Sequence, residues 1–117
     1  MEVARIDRET YIKLAVKEYN NLRPVILKVN LYTIVQVCVK AAEAYSYQIS
    51  HLYRGGMGSL ILAAISDVID RLLQEKKVSE EIHAELRHQY NRDIGGALPD
   101  VVTCLMQLQG VSPVRRR

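Results

Sequence analysis

Residues 31–54, LYTIVQVCVKAAEAYSYQISHLYR, carry polar side chains at Gln36, Lys40, Glu43, Tyr47, Ser50 and Arg54. These spacings alternate between four and three, which puts the polar groups on one stripe of a helix. The remaining surface carries Leu31, Ile34, Val35, Val37, Cys38, Val39, Ala41, Ala42, Ala44, Tyr45, Ile49, Leu52 and Tyr53, an arc wider than a single neighbouring helix can cover. The sequence therefore predicts a long central helix buried on several sides, within a bundle or at a subunit interface. Asn30 suits its N-cap, since the side-chain oxygen can accept a first-turn amide. Gly55 suits its C′ position, where a left-handed backbone is free of a Cβ clash.

A strand competes for part of this stretch. Val25, Leu27, Val29 and Leu31, then Val35, Val37 and Val39, alternate in a β pattern rich in branched residues. No other segment offers comparable alternation, and an isolated hairpin is marginal in water. The helix is the better reading.

The rest of the chain reads as helices too. Asp7 caps a first helix to about Leu22, with Ile12, Ala15, Val16, Tyr19 and Leu22 inward and Arg23-Pro24 ending it. Gly58 or Ser59 opens a helix over 60–77 whose core face is Ile61, Ile65, Val68, Ile69 and Leu72. On it Asp67 and Arg71 stand four apart, the spacing of an intrahelical ion pair. Ser79 starts a fourth helix to about Arg92, burying Ile82, Leu86 and Tyr90, and Gly95-Gly96 ends it. Asp100 caps a last short helix, with Val101, Val102, Leu105, Met106 and Leu108 inside and Gly110 closing it. The fold class is all-α: a compact bundle of four to five helices over 1–111, with a short basic C-terminal tail at 112–117.

Apolar residues at 49% and charged residues at 25% exclude bulk disorder. Phe and Trp are absent, so tyrosine supplies all the aromatic bulk, and its hydroxyl favours rims and interfaces. No apolar run is long and clean enough to span a membrane, and the first fifteen residues lack a secretory pattern. Cys38 and Cys104 lie far apart in apolar helical patterns and read as two buried reduced thiols, in an intracellular protein or one inside a virion.

Chemistry-bearing motifs are sparse. Gly55, Gly56 and Gly58 precede a helix but lack the Lys-Ser/Thr of a P-loop, and read as a turn. His51 stands alone, and His83 and His88 are not at metal spacing, so no metal, cofactor or catalytic set is expected. Nothing points to an enzyme or a small-molecule substrate.

Charge is unevenly spread. Residues 1–58 hold eight lysines and arginines against five acids, residues 59–114 five against eight, and Arg115, Arg116 and Arg117 close the chain. Lys13, Lys17, Arg23, Lys28 and Lys40, interleaved with Tyr11, Tyr19 and Tyr32, form a basic run suited to phosphates; Arg54 and the three terminal arginines add to it. The apolar surplus of the two central helices suggests self-association. Together these predict a homo-oligomeric structural protein that binds or packages DNA or RNA, as nucleoproteins and capsid subunits of viruses do. The alternative is a helical protein–protein adaptor or small subunit of a larger complex.

Overall fold

The computed structural model describes residues 5–49, 52 and 56–108, and among these there is no strand. Helix α1 spans Arg8–Leu22 and passes into a 3₁₀ turn, Arg23–Val25. Helix α2 covers Leu31–Ala44 and α3 Ser46–Ile49; α4 covers Met57–Gln74, α5 Glu80–Asp93 and α6 Ala97–Leu108. Five of these are bundle helices of twelve residues or more, and α3 is a single turn. The radius of gyration, 13.7 Å, is close to the ~13 Å of a folded domain of this size.

Three caps fall where the sequence puts them. The Asp7 carboxylate accepts from the Thr10 amide at 2.8 Å. Asn30 Oδ1 accepts from Thr33 N at 3.2 Å while Thr33 Oγ1 accepts from Asn30 N, a reciprocal capping box that satisfies an otherwise buried threonine. Ser79 Oγ accepts from Ile82 N at 3.2 Å. A fourth contact is long-range: Gln89 Oε1 of α5 accepts from Leu31 N at 3.0 Å, so α5 satisfies the first amide of α2.

The long central helix is shorter than its polar stripe suggests. Tyr45 leaves the helical region at φ −122°, ψ 27°, and α3 follows as a separate turn. Its Gln48 carbonyl accepts from Ile6 N at 3.1 Å, and Ile49 is fully buried, so the redirected turn closes the bundle beneath the entry to α1. Expectations at Gly55, Gly110 and residues 112–117 lie outside the described residues. Other boundaries shift slightly. Helix α4 starts at Met57 behind Gly56, whose φ of 125° only glycine adopts freely, and ends at Gln74, with Lys76 left-handed at φ 57°. Helix α6 starts at Ala97, so Asp100 lies in its first turn near the positive end instead of capping it. The alternating valines yield no strand because Val35, Val37 and Val39 are on α2; Val25 ends the 3₁₀ turn and only 26–30 lie outside a helix.

Helix α2 is the hub, packed against α1, α4 and α6. Leu31, Thr33, Ile34, Val35, Val37, Cys38, Val39, Ala41 and Ala42 are all buried, leaving exposed only Tyr32, Gln36, Lys40, Glu43 and Ala44. On α4, Leu60, Ile61, Ala64, Ile65, Val68, Ile69 and Leu72 are likewise buried. The apolar surplus assigned to an oligomer is thus consumed within one chain. Five long helices supply enough opposing surface because α6 and α1 both close on α2, which one-neighbour reasoning undercounts. The large apolar side chains left in solvent among the described residues are Val25, Leu27, Tyr32 and Leu108.

Two ion pairs tie α1 to α4 reciprocally. Arg8 of α1 reaches Asp67 of α4 at 2.7 Å, and Arg71 of α4 reaches Glu9 of α1 at 2.6 Å. Asp67 and Arg71 therefore bond across the helix pair, not to each other along α4. Helix α5 is fixed to α4 by a second network: Asp70 accepts from His83 at 2.9 Å, Arg87 donates to Ser66 Oγ at 2.7 Å, and Arg87 lies over the Tyr90 ring.

Candidate nucleic-acid interface

The candidate cations before Glu43 are exposed along α1, the turn that follows it and α2. Lys13 and Lys17, one turn apart on α1, are exposed on its outer face. Arg23 is exposed in the 3₁₀ turn and donates to the Ile26 carbonyl at 3.3 Å, holding the bend that follows. Lys28 is exposed in the link to α2. Lys40 lies on the exposed stripe of α2, its ammonium 3.9 Å from Glu18 of α1.

Pairing differs among the described cations. Among the described residues Lys13, Lys17, Arg23 and Lys28 make no ion pair, whereas Arg8, Arg71, Arg87 and Arg92 each face a carboxylate within 4 Å. Arg5, Lys76 and Lys77 are also without an ion pair among the described residues; Glu75, Glu80 and Glu81 flank the two lysines in sequence, as Glu18 follows Lys17, and Lys13 lies near Asp7 and Glu9. Arg54, Arg115, Arg116 and Arg117 lie outside the described residues.

Between α1 and α2 runs an open groove of about 550 Å³, lined by Glu18, Asn21, Leu22, Val25, Gln36, Val37 and Lys40. Its floor is apolar and its walls carry two side-chain amides and an opposed acid and base. Asn21 and Gln36 make no hydrogen bond to the described residues. Sequence reasoning missed the groove because it depends on how two helices cross, which no local spacing encodes.

The tyrosines divide sharply. Tyr11 and Tyr19 are buried in the α1–α2 contact, at 0% and 1% exposure, and are unavailable to a ligand; Tyr32, at 60%, is the one of the three that faces solvent. Their helical register decides this: Tyr11 and Tyr19 share a face with Ile12, Ala15 and Val16, whereas Tyr32 shares one with Gln36 and Lys40. Burial pushes both inner phenols above their ordinary value, for Tyr19 against the pull of the nearby Arg23 guanidinium.

The other candidates resolve as structure. His83 belongs to the α4–α5 network through Asp70, with Arg87 between Ser66 and Asp70. Since Ser66 bonds to Arg87 and not to His83, no nucleophile–base pair forms. A second cavity, about 450 Å³, is lined by the Arg8, Glu9, Asp67 and Arg71 pairs with Asp70, Gln74 and Ile12, and its charges already satisfy one another. Among the described residues no group of three or more His, Cys, Asp or Glu side chains could hold a metal ion, and no helix is long and apolar enough to cross a membrane. Cys38 is buried as expected, and burial pushes its thiol far above the ordinary value; Cys104, expected inside, is exposed on the outer side of α6.

Compared with known proteins, the chain matches no family model, no curated protein and no solved structure.

Proposed function

We propose that this chain is a non-enzymatic nucleic-acid-binding protein whose contact surface is the α1–α2 edge, with Lys13, Lys17, Arg23, Lys28 and Lys40 on the phosphates. One observation carries the reading: among the described residues Lys13, Lys17, Arg23 and Lys28 have no carboxylate within ion-pair distance, whereas Lys40 faces Glu18 and Arg8, Arg71, Arg87 and Arg92 are paired. Unpaired cations concentrated on one face attract a polyanion and gain from the counterions it releases. Arg54 and Arg115–Arg117 add positive charge by sequence. In this reading copies line up along the strand and package it, as a coat protein does. Contacts between copies then fall to the exposed Val25 and Leu27 rather than to α2 or α4, which the chain itself covers.

The test is a salt titration of the nuclease-treated protein against a labelled oligonucleotide. With four or five phosphates engaged, log K should fall with log salt at a slope of about −3 on a single strand. Absence of binding at about 50 mM salt refutes the proposal. A second reading, a protein–protein adaptor, draws on Val25 and Leu27, which stand 76% and 101% exposed. Docking of that kind is apolar and should persist as salt rises.

A further inference from the structure

Resting on the reading that copies meet at Val25 and Leu27, we propose that Leu27 of each copy enters a cleft on the other, at the start of α2, and closes a two-fold dimer. The cleft lies where Leu31, Tyr32 and Val35 of α2 face Ala97, Leu98 and Val101 of α6, with Asp93 at its edge. Asp93 already accepts from Arg92, so what the cleft still offers is apolar. Its volume is about 20 Å³. That is little more than the ~10–15 Å³ one water needs, and it suits the tip of one aliphatic side chain, not a free ligand. Leu27 is such a side chain: it is fully exposed in the non-helical link 26–30, and no described residue of its own chain covers it. It precedes Leu31 by four residues, at most about 14 Å of chain, so knob and cleft share one end of the bundle. A two-fold axis there lets each copy give and receive the same contact.

Charge favours this arrangement over its simplest rival, Leu27 packed on Leu27. The rival brings Arg23 and Lys28 of both copies together, and neither cation has an ion pair among the described residues to offset the repulsion. The rim of the cleft is acidic instead. Asp100 is exposed on α6, next to Val101 and one turn from Ala97, and it too has no ion pair among the described residues. Lys28 of one copy then meets Asp100 of the other, once on each side of the axis. Lys13, Lys17, Arg23 and Lys40 remain for phosphate. So few side chains bury less than the ~1,200 Å² of stable interfaces, which makes the dimer weak, with Kd on the order of 10–100 µM.

The experiment is sedimentation velocity of the full chain, nuclease-treated, over about 5 to 500 µM, a range that brackets that Kd. Reductant keeps the exposed Cys104 from linking copies. Wild type should pass from monomer to dimer across the range, and Leu27→Ser should stay monomeric. Lys28→Glu should weaken the dimer about tenfold or more, and Lys28→Glu with Asp100→Lys should restore it to within about threefold of wild type. Leu27 and Lys28 are exposed outside any helix, so their single variants should keep the wild-type melting temperature. A wild-type monomer at the highest concentration overturns the inference. So does a dimer that Lys28→Glu strengthens, the result that relief of like charge gives when Leu27 packs on Leu27. No nucleic acid is present, so either failure leaves the charged edge to be judged by the salt titration alone.

Discussion

The Tyr11 hydroxyl of α1 donates to the Cys38 carbonyl of α2 across 2.8 Å, a buried hydrogen bond between residues 27 apart in sequence. Tyr19, two turns further along α1, is just as buried, yet its hydroxyl has no partner among the described residues. The two phenols therefore respond differently to the same substitution. Tyr11→Phe should lose about 1 kcal/mol of unfolding free energy, the worth of one made hydrogen bond. Tyr19→Phe removes a hydroxyl that makes no close hydrogen bond but lies near the Arg23 guanidinium, and should cost less than Tyr11→Phe, close to neutral. Urea unfolding of both variants measures this, and equal destabilisation would contradict the geometry.

Val39 is fully buried on α2 within a single chain. Val39→Asp should therefore unfold the protein outright, at about 3 kcal/mol or more for the unpaired charge, at any protein concentration. Were the residue covered by a second copy instead, a folded, dissociated subunit would be recovered. Circular dichroism with sedimentation distinguishes the outcomes.

The helices and their faces were legible in the sequence because capping residues and apolar spacing are local signals: Asp7, Asn30 and Ser79 cap as their chemistry requires. Closure was not. Whether α2 needs a partner copy depends on how α6 returns across it, and nothing in the spacing of Val102 or Met106 says which helix they meet. The cations of the site were readable as a run, but their availability was not. Arg8 and Lys13 look alike in sequence until Asp67, 59 positions away from Arg8, takes one and leaves the other. Tyr11 and Tyr19 were misplaced for the opposite reason: sitting between lysines in sequence, they point inward by register.

Native thiol labelling should modify Cys104 rapidly and spare Cys38. Cys104 is exposed, whereas Cys38 is sealed in the core and held protonated by burial. Mass spectrometry after brief alkylation should show one adduct on the folded chain and two after denaturation. Two adducts without denaturant would mean that α2 opens.

Acid should destabilise the protein through three carboxyls held below their ordinary range. The Thr10 side chain and amide stabilise the charged form of Asp7, the Arg71 guanidinium that of Glu9 and the Arg92 guanidinium that of Asp93. Each binds its proton more weakly in the folded than in the unfolded chain, so its contribution is complete above the ordinary values of 3.8 for Asp and 4.5 for Glu. It is lost as pH falls through the lower folded values. Melting temperature should drop as pH is lowered below that range, and Glu9→Gln should flatten part of the drop. A pH-independent melting temperature there would contradict the pairing.

The functional account depends most on the unpaired lysines of α1, and reversing them is its most direct test. Lys13→Glu with Lys17→Glu changes two exposed side chains that make no ion pair among the described residues, so the melting temperature should hold. Anisotropy against a single-stranded oligonucleotide at about 50 mM salt should then show affinity reduced by tenfold or more, and a salt slope shallower by about 1.4. Unchanged affinity and slope in a folded double variant would show that the α1–α2 edge is not where this protein meets nucleic acid.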